Sequence, residues 1–534
     1  MKHRQTKKTQ NGFWVFDTED DSAGNVYWIN FYDGSEHVPF SNFVDALGWI
    51  LQQEGEFWAV NLEYDMINLF GPFLDQLCVL TYGGFGLLKA SIHGKSVHFR
   101  NTLRHWPMSV EEMGERLGFP KLPFDPKNLT YCQRDCEVTH KFISEMFARY
   151  KELGIESIKS TLPGTSLGFY KDKFCKSSYF RHPDLSVWKF LAASRYGGRC
   201  EVFHNQPIEQ TVWEYDINSS YPSVMVSERF PNLETITLYP QSPRFEREGV
   251  AYCRVYVPPM EYPLLPWKDP ESGKLLFPCG RFSGTWTYVE LRKAMSLGVK
   301  IEQVYNCIEY DNMDSPFIEY MSYLYNRRLE VKGSDELMSY TLKICMNSLF
   351  GKWGEEGEMQ VISQGKRFTL RQVPKHSNQI WSSYILAYGR LKLYEYMMLA
   401  KDKGTLCYVD TDSIFVRCPS SPFGDGSKEL GELGFKGKYS YAHFKLPKLY
   451  RVDEKYKAKG VPKSRNKEDP EALKREFFYG EVAEFLKPYR WMESKKLKEQ
   501  ANVWHTTTKQ LSATYDKRNT YPDGHTTPLT IGML

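Results

Sequence analysis

The stretch Tyr408-Val409-Asp410-Thr411-Asp412-Ser413-Ile414-Phe415 sets two carboxylates one residue apart, between the apolar runs 406–409 and 414–416. The pattern predicts a tight β-hairpin with an acidic tip. Side chains two apart on a strand share a face, so Asp410 and Asp412 crowd into one small volume, where repulsion raises one pKa unless a cation lies between them. A hard divalent ion is the natural occupant of such a site. Asp and Thr are also ordinary turn residues, and a plain acidic turn reads the same way.

A second acidic set lies near the N-terminal end. Phe13-Trp-Val-Phe-Asp17-Thr-Glu19 reads as a buried-type strand whose two carboxylates share a face. The apolar run 57–60 leads into Asn61-Leu-Glu-Tyr-Asp65. Asn128 or Thr130 is placed to cap a helix with apolar positions Val138, Phe142, Met146 and Tyr150, whose first turns bring Tyr131 and Asp135 to one face. Carboxylates at strand and helix ends, with a tyrosine to orient water, are the parts that two-metal hydrolysis of a phosphodiester requires. Single spacings such as Asp-x-Glu arise by chance, so the signal lies in the ordered set.

Other elements have to position these groups. A strand over 212–216 ends in Asp216 and runs into Ile-Asn-Ser-Ser-Tyr221-Pro222, which sets a carboxylate beside backbone N–H groups able to face phosphate. In Ser194-Arg195-Tyr196-Gly197-Gly198-Arg199 the glycines allow close approach of a ligand and the arginines suit phosphate; a bland Gly-Gly turn is the alternative. Helices over 320–332 and 337–350 are joined at Gly333-Ser334-Asp335, with Ser334 or Asp335 as N-cap and Gly351 as the stop. Arg328 and Lys332 share a face of the first, Lys343 and Asn347 a face of the second. They form either a cationic clamp for a triphosphate or an ordinary solvated surface.

At 534 residues the chain exceeds one core and implies on the order of two to four domains, with 41% hydrophobic and 15% aromatic residues to fill them. No apolar run reaches bilayer length, and Lys2, Arg4, Lys7 and Lys8 read as a solvated tail without the apolar segment of a secretory signal. The 11 scattered cysteines, with Cys132 and Cys136 a poor match to zinc spacing, point to reduced thiols in a cytosolic setting. Net charge is +4, but residues 441–534 hold 19 Lys plus Arg against 12 Asp plus Glu, so this end is +7 and residues 1–440 are −3. That asymmetry suits a polyanionic partner at the C-terminal end and acidic, metal-dependent chemistry ahead of it; a solvated basic surface is the plain alternative.

The N-terminal acids, in their chain order, resemble the three motifs of the proofreading 3′-5′ exonuclease domain of family B DNA polymerases. Residues 216–222, 343–351 and 408–415 resemble polymerase motifs A, B and C of that family. Thr102-Leu103 with Trp106, and Lys121 with Phe124, resemble the single-strand-binding and lysine motifs of the protein-primed branch, although Thr102-Leu103 also reads as a strand-to-loop junction. The 194–199 segment resembles the Tyr-x-Gly-Gly element that links the two domains and holds the template, and Lys448-Leu-Tyr450 the Lys-x-Tyr motif on the primer. Lys457 and Lys459 add cations that suit phosphate.

The resemblance implies an α/β (α+β) multidomain fold: an RNase H-like 3′-5′ exonuclease domain followed by a right-hand polymerase of palm, fingers and thumb. The expected division is exonuclease 1–155, linker and first palm segment 156–226, an insertion like terminal-protein region 1 at 227–320, and fingers 321–352. A short hairpin at 353–375, resembling a reduced terminal-protein region 2 with its turn at Gly365-Lys366, palm 376–480 and thumb 481–534 complete it. Within the insertion, a strand over 250–257 and a helix over 286–297 are expected.

By the same resemblance, Asp216 and Asp412 hold two Mg²⁺ ions, or Mn²⁺ in their place, with Asp410 close by. Asp17, Glu19, Asp65 and Asp135 hold the exonuclease metals, with Tyr131 and Lys121 assisting. Tyr221 lies under the incoming sugar; Arg328, Lys332, Lys343 and Asn347 take the triphosphate, with Phe350 where the family usually has a tyrosine. Asn61, Thr102, Leu103, Tyr196, Gly197, Gly198, Lys448 and Tyr450 contact DNA. The implied partners are template and primer DNA, dNTPs and a terminal protein as primer, with no membrane, in the cytoplasm of a host for a phage or plasmid genome. A primer-independent or ordinarily primed polymerase is the alternative. Rivals of another class are a lone nuclease, which leaves motifs A to C unexplained, and a non-catalytic nucleic-acid-binding protein on this fold, in which unpaired acids would repel phosphate.

Overall fold

The computed structural model describes all residues except 1–11, 22–24, 71–77, 83–86, 93–94, 176–183, 241, 364–365, 465–467, 489–503, 512–513 and 533–534. The basic tail and Gly365 therefore lie outside the described residues. The chain divides into two compact units, each assembled from separate pieces: 1–173, 324–374 and 486–506, and 174–323, 375–485 and 507–534. Among the described residues no helix is long and apolar enough to cross a membrane.

The first unit is built on a nine-stranded sheet. Its inner strands Phe13–Asp20, Glu56–Ala59 and Lys95–Asn101 run parallel, and their neighbours are antiparallel. Phe16, Phe31, Phe57 and Phe99 meet on one face of the sheet in a core closed by Ala46, Ile50, Leu62 and Met66 of the helices Phe43–Ile50 and Leu62–Phe70. The predicted amphipathic helix is Leu129–Glu152, capped by Asn128, whose side chain accepts the Thr130 N–H. Val138, Phe142, Met146 and Tyr150 are all buried, as their spacing requires.

The small hairpin forms as Glu358–Ser363 and Lys366–Arg371, and Gln360 to Ile362 pair with Val79 to Thr81 of Cys78–Tyr82. It extends the N-terminal sheet, because a strand edge offers unpaired N–H and C=O groups to any neighbouring strand. The helical pair is Ile318–Val331 and Glu336–Trp353, with Asp335 as N-cap accepting the Met338 N–H. Gly351 does not end the second helix. The helix continues to Trp353, whose fully buried ring supplies one more apolar anchor, and Gly354 follows as the cap.

The second unit centres on an antiparallel sheet in the order Leu433–Tyr439, Val212–Ile217, Ser413–Arg417, Thr405–Asp410, Cys200–Val202. Tyr215, Ile217, Ile414, Val416, Leu406 and Val409 face Leu393 and Met397 of the helix Gln379–Lys401. On the other face Val212, Phe415 and Tyr408 meet Phe444 and Tyr439. The same unit holds a second sheet in which Glu248–Val257 lies between Lys300–Tyr310 and Cys279–Thr287. The helix expected from residue 286 begins at Tyr288, since Trp286 and Thr287 complete a strand and the buried Trp286 indole donates to the Pro266 carbonyl. Residues 514–532, within the segment expected as thumb, belong to this same unit. Tyr515 accepts the Val202 N–H at 3.0 Å, the Thr526 N–H donates to the Phe203 carbonyl, and Thr530–Ile531 pairs with Cys279 and Gly280.

Candidate active sites

In the acidic hairpin Asp410 lies opposite Ser413, which leaves Thr411 and Asp412 as a two-residue turn. Strand alternation therefore does not bring the two carboxylates together, contrary to the expectation. Thr411 adopts a left-handed backbone at φ +66, and that conformation aims Asp412. The turn is held from both sides: the Thr411 N–H donates to the Arg199 carbonyl at 2.7 Å, and the Ile217 N–H donates to the Asp412 carbonyl at 2.8 Å. Asp216 comes from the adjacent strand, where it pairs with Ser413 on one side and Gly434 on the other.

The predicted crowding of charge is present. Burial, followed by the charges of Asp216 and Asp410, pushes the Asp412 carboxyl up to about 7. Asp410 has its own cation, the Lys448 ammonium at 2.7 Å, and also accepts from the Tyr408 hydroxyl at 3.4 Å. Lys448, expected on the primer, pairs with Asp410 in this structure. Asp412, with the charge of Asp216 beside it, is a carboxyl that resists ionisation without a cation, and such a carboxyl fits a hard divalent ion. Tyr450 packs its ring 5.4 Å from Tyr408 and 5.5 Å from Phe415.

Tyr221 stands in the first turn of the helix Ser220–Ser227, which is entered through Ser219 at φ +48. Its ring lies against Gly389, where a Cβ would come within 3.1 Å of Tyr221 Cε1, and burial pushes the phenol up to about 12. Tyr196 is buried, and its carbonyl and that of Gly197 accept from the Arg390 guanidinium. Gly198 lies against the side chain of Thr411, which leaves no room for a Cβ. Arg199 is not a phosphate contact: it is buried, with its guanidinium on Glu201. Arg195 is exposed.

In the first unit Asp17, Glu19 and Asp135 each bring a carboxylate oxygen within 4.8 Å of the others. The strand Phe13–Asp20 supplies two of them on one face, and the long helix supplies the third from the turn that also carries Tyr131. Asp65, the fourth expected ligand, is buried and accepts from Thr18 Oγ1 at 2.8 Å, while its Oδ2 accepts no hydrogen bond. Burial, with Asp17 adding to it, raises its pKa. Burial and mutual repulsion also push Asp17 up to about 7 and Glu19 up to about 9. Carboxyls this reluctant to ionise, with buried oxygens of Asp65 and Asp135 accepting nothing, fit hard divalent cations.

Lys121 bonds Asp135 and sits 4.6 Å from the centre of the Tyr131 ring, against which Phe124 packs edge-on. Asn61 is exposed at φ +61 between its strand and helix. Thr102 is fully buried with its hydroxyl donating to the Ala59 carbonyl at 3.2 Å, and the Leu103 N–H donates to Asn101 Oδ1.

Arg328, Lys343, Asn347 and Phe350 stand on the helical pair, with Lys332 just past the first helix. Lys332 and Lys343 are exposed, and Arg328 Nε is buried without a hydrogen-bond partner. These residues lie in the first unit, whereas Asp216, Asp410 and Asp412 lie in the second.

Three groups escaped the sequence reading. Tyr64 bonds Asp20, Cys132 Sγ lies 3.6 Å from the Asp17 carbonyl, and Asn218 Nδ2 donates to the carbonyls of Ser427 and Glu429. Each is a near neighbour in sequence of a predicted residue, the one local signal available for it. Cys136 faces the Asn30 carbonyl, and both cysteines of the pair are free thiols.

Residues 111–380 match the family model described as DNA polymerase type B, organellar and viral. The chain is 33% identical over 255 residues to the DNA-directed DNA polymerase of Enterobacteria phage PRD1, which covers 43% of this chain and 42% of that protein. It is 26% identical over 380 residues to a probable DNA polymerase of Ascobolus immersus, covering 63% of this chain and 30% of the fungal protein. The chain thus spans less than half the length of either relative. In fold it resembles Phi29 DNA polymerase complexed with primer-template DNA and incoming nucleotide, with a TM-score of 0.74 at 15% identity over 95% of this chain and 100% of the other.

Proposed function

The chain belongs to the organellar and viral type B DNA polymerases, and on that premise we propose that it is a DNA-directed DNA polymerase with a 3′-5′ exonuclease, acting on a phage or plasmid genome in the cytoplasm of its host. The observation that carries the synthetic activity is the convergence of Asp216 with Asp412 while Lys448 takes up Asp410. Asp216 and Asp412 would hold the two Mg²⁺ ions, or Mn²⁺. Ions held there would supply Lewis acidity that lowers the pKa of an attacking hydroxyl and offsets charge on the leaving pyrophosphate.

The remaining work falls to the chain itself. Arg328, Lys332, Lys343 and Asn347 bind the triphosphate, and Tyr221 sets the sugar by packing beneath it. Tyr196, Gly197, Gly198, Lys448 and Tyr450 are assigned to template and primer, partner classes carried over from the neighbour in fold. In the hydrolytic site Asp17, Glu19, Asp65 and Asp135 would hold the metals, Tyr131 and Lys121 orient the attacking water, and Asn61, Thr102 and Leu103 line the single strand.

Primer extension and single-strand degradation, each with and without Mg²⁺, test the pair of activities. Asp412→Asn is expected to abolish incorporation and spare degradation, and Asp17→Ala with Glu19→Ala to do the reverse. Normal incorporation by folded Asp412→Asn would overturn the assignment.

We further propose that synthesis starts on a protein hydroxyl, with residues 227–320 helping to hold that partner; the Thr102-Leu103 and Lys121 elements and the insertion between motifs A and B support it. A side-chain oxygen serves if it is presented within about 3.5 Å in line with the α-phosphorus. Labelled dNTP, Mg²⁺ and template, supplied with proteins encoded beside this gene, should yield a covalent protein–nucleotide adduct. Products made from template alone, or from oligonucleotide primers only, would count against it.

A further inference from the structure

The turn that carries Asp412 is connected to the end of the chain through three buried charges. Arg199, Glu201 and Arg518 are each at most 2% exposed. Charges are kept in an interior only when paired, and each one left unpaired there is costly.

Their geometry forms a chain of contacts. Arg518 opens the C-terminal hairpin formed by Arg518–Thr520 and Thr526–Pro528, where its Nε donates to Thr526 Oγ1 at 2.8 Å and its Nη2 to the Thr526 carbonyl at 3.2 Å; Nη2 also donates to the Glu261 carbonyl at 3.1 Å. Its Nη1 faces Glu201 Oε1 at 3.6 Å, an ion-pair separation. The other oxygen, Oε2, accepts from Arg199 Nε at 2.7 Å, while Arg199 Nη2 lies 2.6 Å away as an ion-pair contact without a hydrogen bond. Arg199 Nη1 donates to the Pro263 carbonyl, and the guanidinium stacks 4.3 Å from the Phe277 ring. The Arg199 carbonyl then accepts the Thr411 N–H at 2.7 Å. Thr411 is the left-handed residue on which the direction of Asp412 depends.

We propose that Arg518 and Glu201 are positioning residues for nucleotide incorporation: they lock the Arg199 carbonyl in the place that holds the Thr411 N–H, and so hold Asp412 on target. This rests on the reading of Asp216 and Asp412 as the synthetic site. Without Arg518 the Glu201 carboxylate loses the cation facing Oε1 and turns toward Arg199, which shifts the guanidinium and with it the Arg199 backbone. The C-terminal hairpin is then part of the catalytic apparatus, although it contributes no group that touches substrate.

The test uses the full chain carrying Arg518→Met, with Thr526→Val as a milder variant that removes only the Arg518 Nε acceptor and its link to the Val202 carbonyl. Arg518→Lys, which keeps the charge, is the conservative rescue. Hydrogen exchange of peptides spanning the turn is expected to quicken about tenfold or more in Arg518→Met, while the helix Leu129–Glu152 keeps its protection. The incorporation kcat should fall about 10- to 100-fold with the KM for dNTP unchanged, since a catalytic group displaced by about 1 Å costs on that order. Single-strand degradation should not change, and Arg518→Lys should recover part of the loss.

Unchanged exchange at the turn and unchanged kcat in Arg518→Met would overturn the proposal. So would a uniform loss of protection throughout the second unit, which is what a merely structural role predicts. If the unaltered chain incorporates no nucleotide, the synthetic reading fails by itself, and the exchange measurement still decides whether the triad holds the turn.

Discussion

Gly198→Ala would drive a methyl group into the acidic turn. The new Cβ would lie 2.7 Å from Thr411 Cγ2, 2.8 Å from its Oγ1 and 3.0 Å from its Cβ. Carbon contacts are comfortable only from about 3.5 Å, so moving from 2.7 Å to that distance requires a shift of about 0.8 Å. Thr411 has little freedom to yield by rotation. It is β-branched, sits at φ +66 and is held by its N–H to the Arg199 carbonyl. The displacement therefore passes to the neighbouring Asp412. Overpacking of this kind costs about 1–3 kcal/mol of stability, and moving a catalytic group by about 1 Å costs on the order of 10²-fold in rate. Single-turnover primer extension at saturating dNTP and Mg²⁺ should show that loss, with single-strand degradation unchanged because its carboxylates lie in the other unit. Adding Thr411→Gly removes the colliding atoms and accepts the left-handed backbone without strain, so the double variant should be faster than Gly198→Ala. Full activity of the single variant, or a double variant no faster than it, would refute the reasoning.

Three further outcomes are expected. In metal-free protein Asp17, Glu19 and Asp412 retain protons up to about 7, 9 and 7, so the folded chain binds more protons than the unfolded one from roughly pH 4 to 9. Stability in EDTA must then fall as pH rises through that window, and Mg²⁺ must reverse the fall; thermal midpoints across the range check it, with the triple Asn/Gln/Asn variant flattening the curve. Lys121→Met leaves Asp135 without its cation and should lower degradation about 10- to 100-fold while primer extension stays normal, as paired assays on one preparation would reveal. Tyr221→Val opens space beneath the sugar and should raise ribonucleotide use relative to deoxynucleotide use; an unchanged ratio of kcat/KM values would remove Tyr221 from that role.

The parts of both candidate sites that are local in the chain were legible from residue types and spacing. Asp17 and Glu19 converge because a strand alternates every two residues. Asp135 joins them from a helix whose cap, Asn128, and buried stripe are written in consecutive residues. Asp216 ends the strand foreseen for it, and the acidic hairpin forms where the apolar runs bracket it. Tertiary structure decided what depends on partners distant in sequence. Asp412 reaches its place on a turn rather than a strand, through a left-handed Thr411 held by the Arg199 carbonyl. Gly198 is required by that turn packing against it, and Arg199 became a buried anchor because Glu201, the Pro263 carbonyl and the Phe277 ring enclose it. The 358–371 hairpin joined the N-terminal sheet because the edge strand Cys78–Tyr82 was there to pair with it. Periodicity along the chain determines which face a side chain takes, whereas whether a charge ends in solvent, in an ion pair or beside a metal depends on which distant segment packs over it.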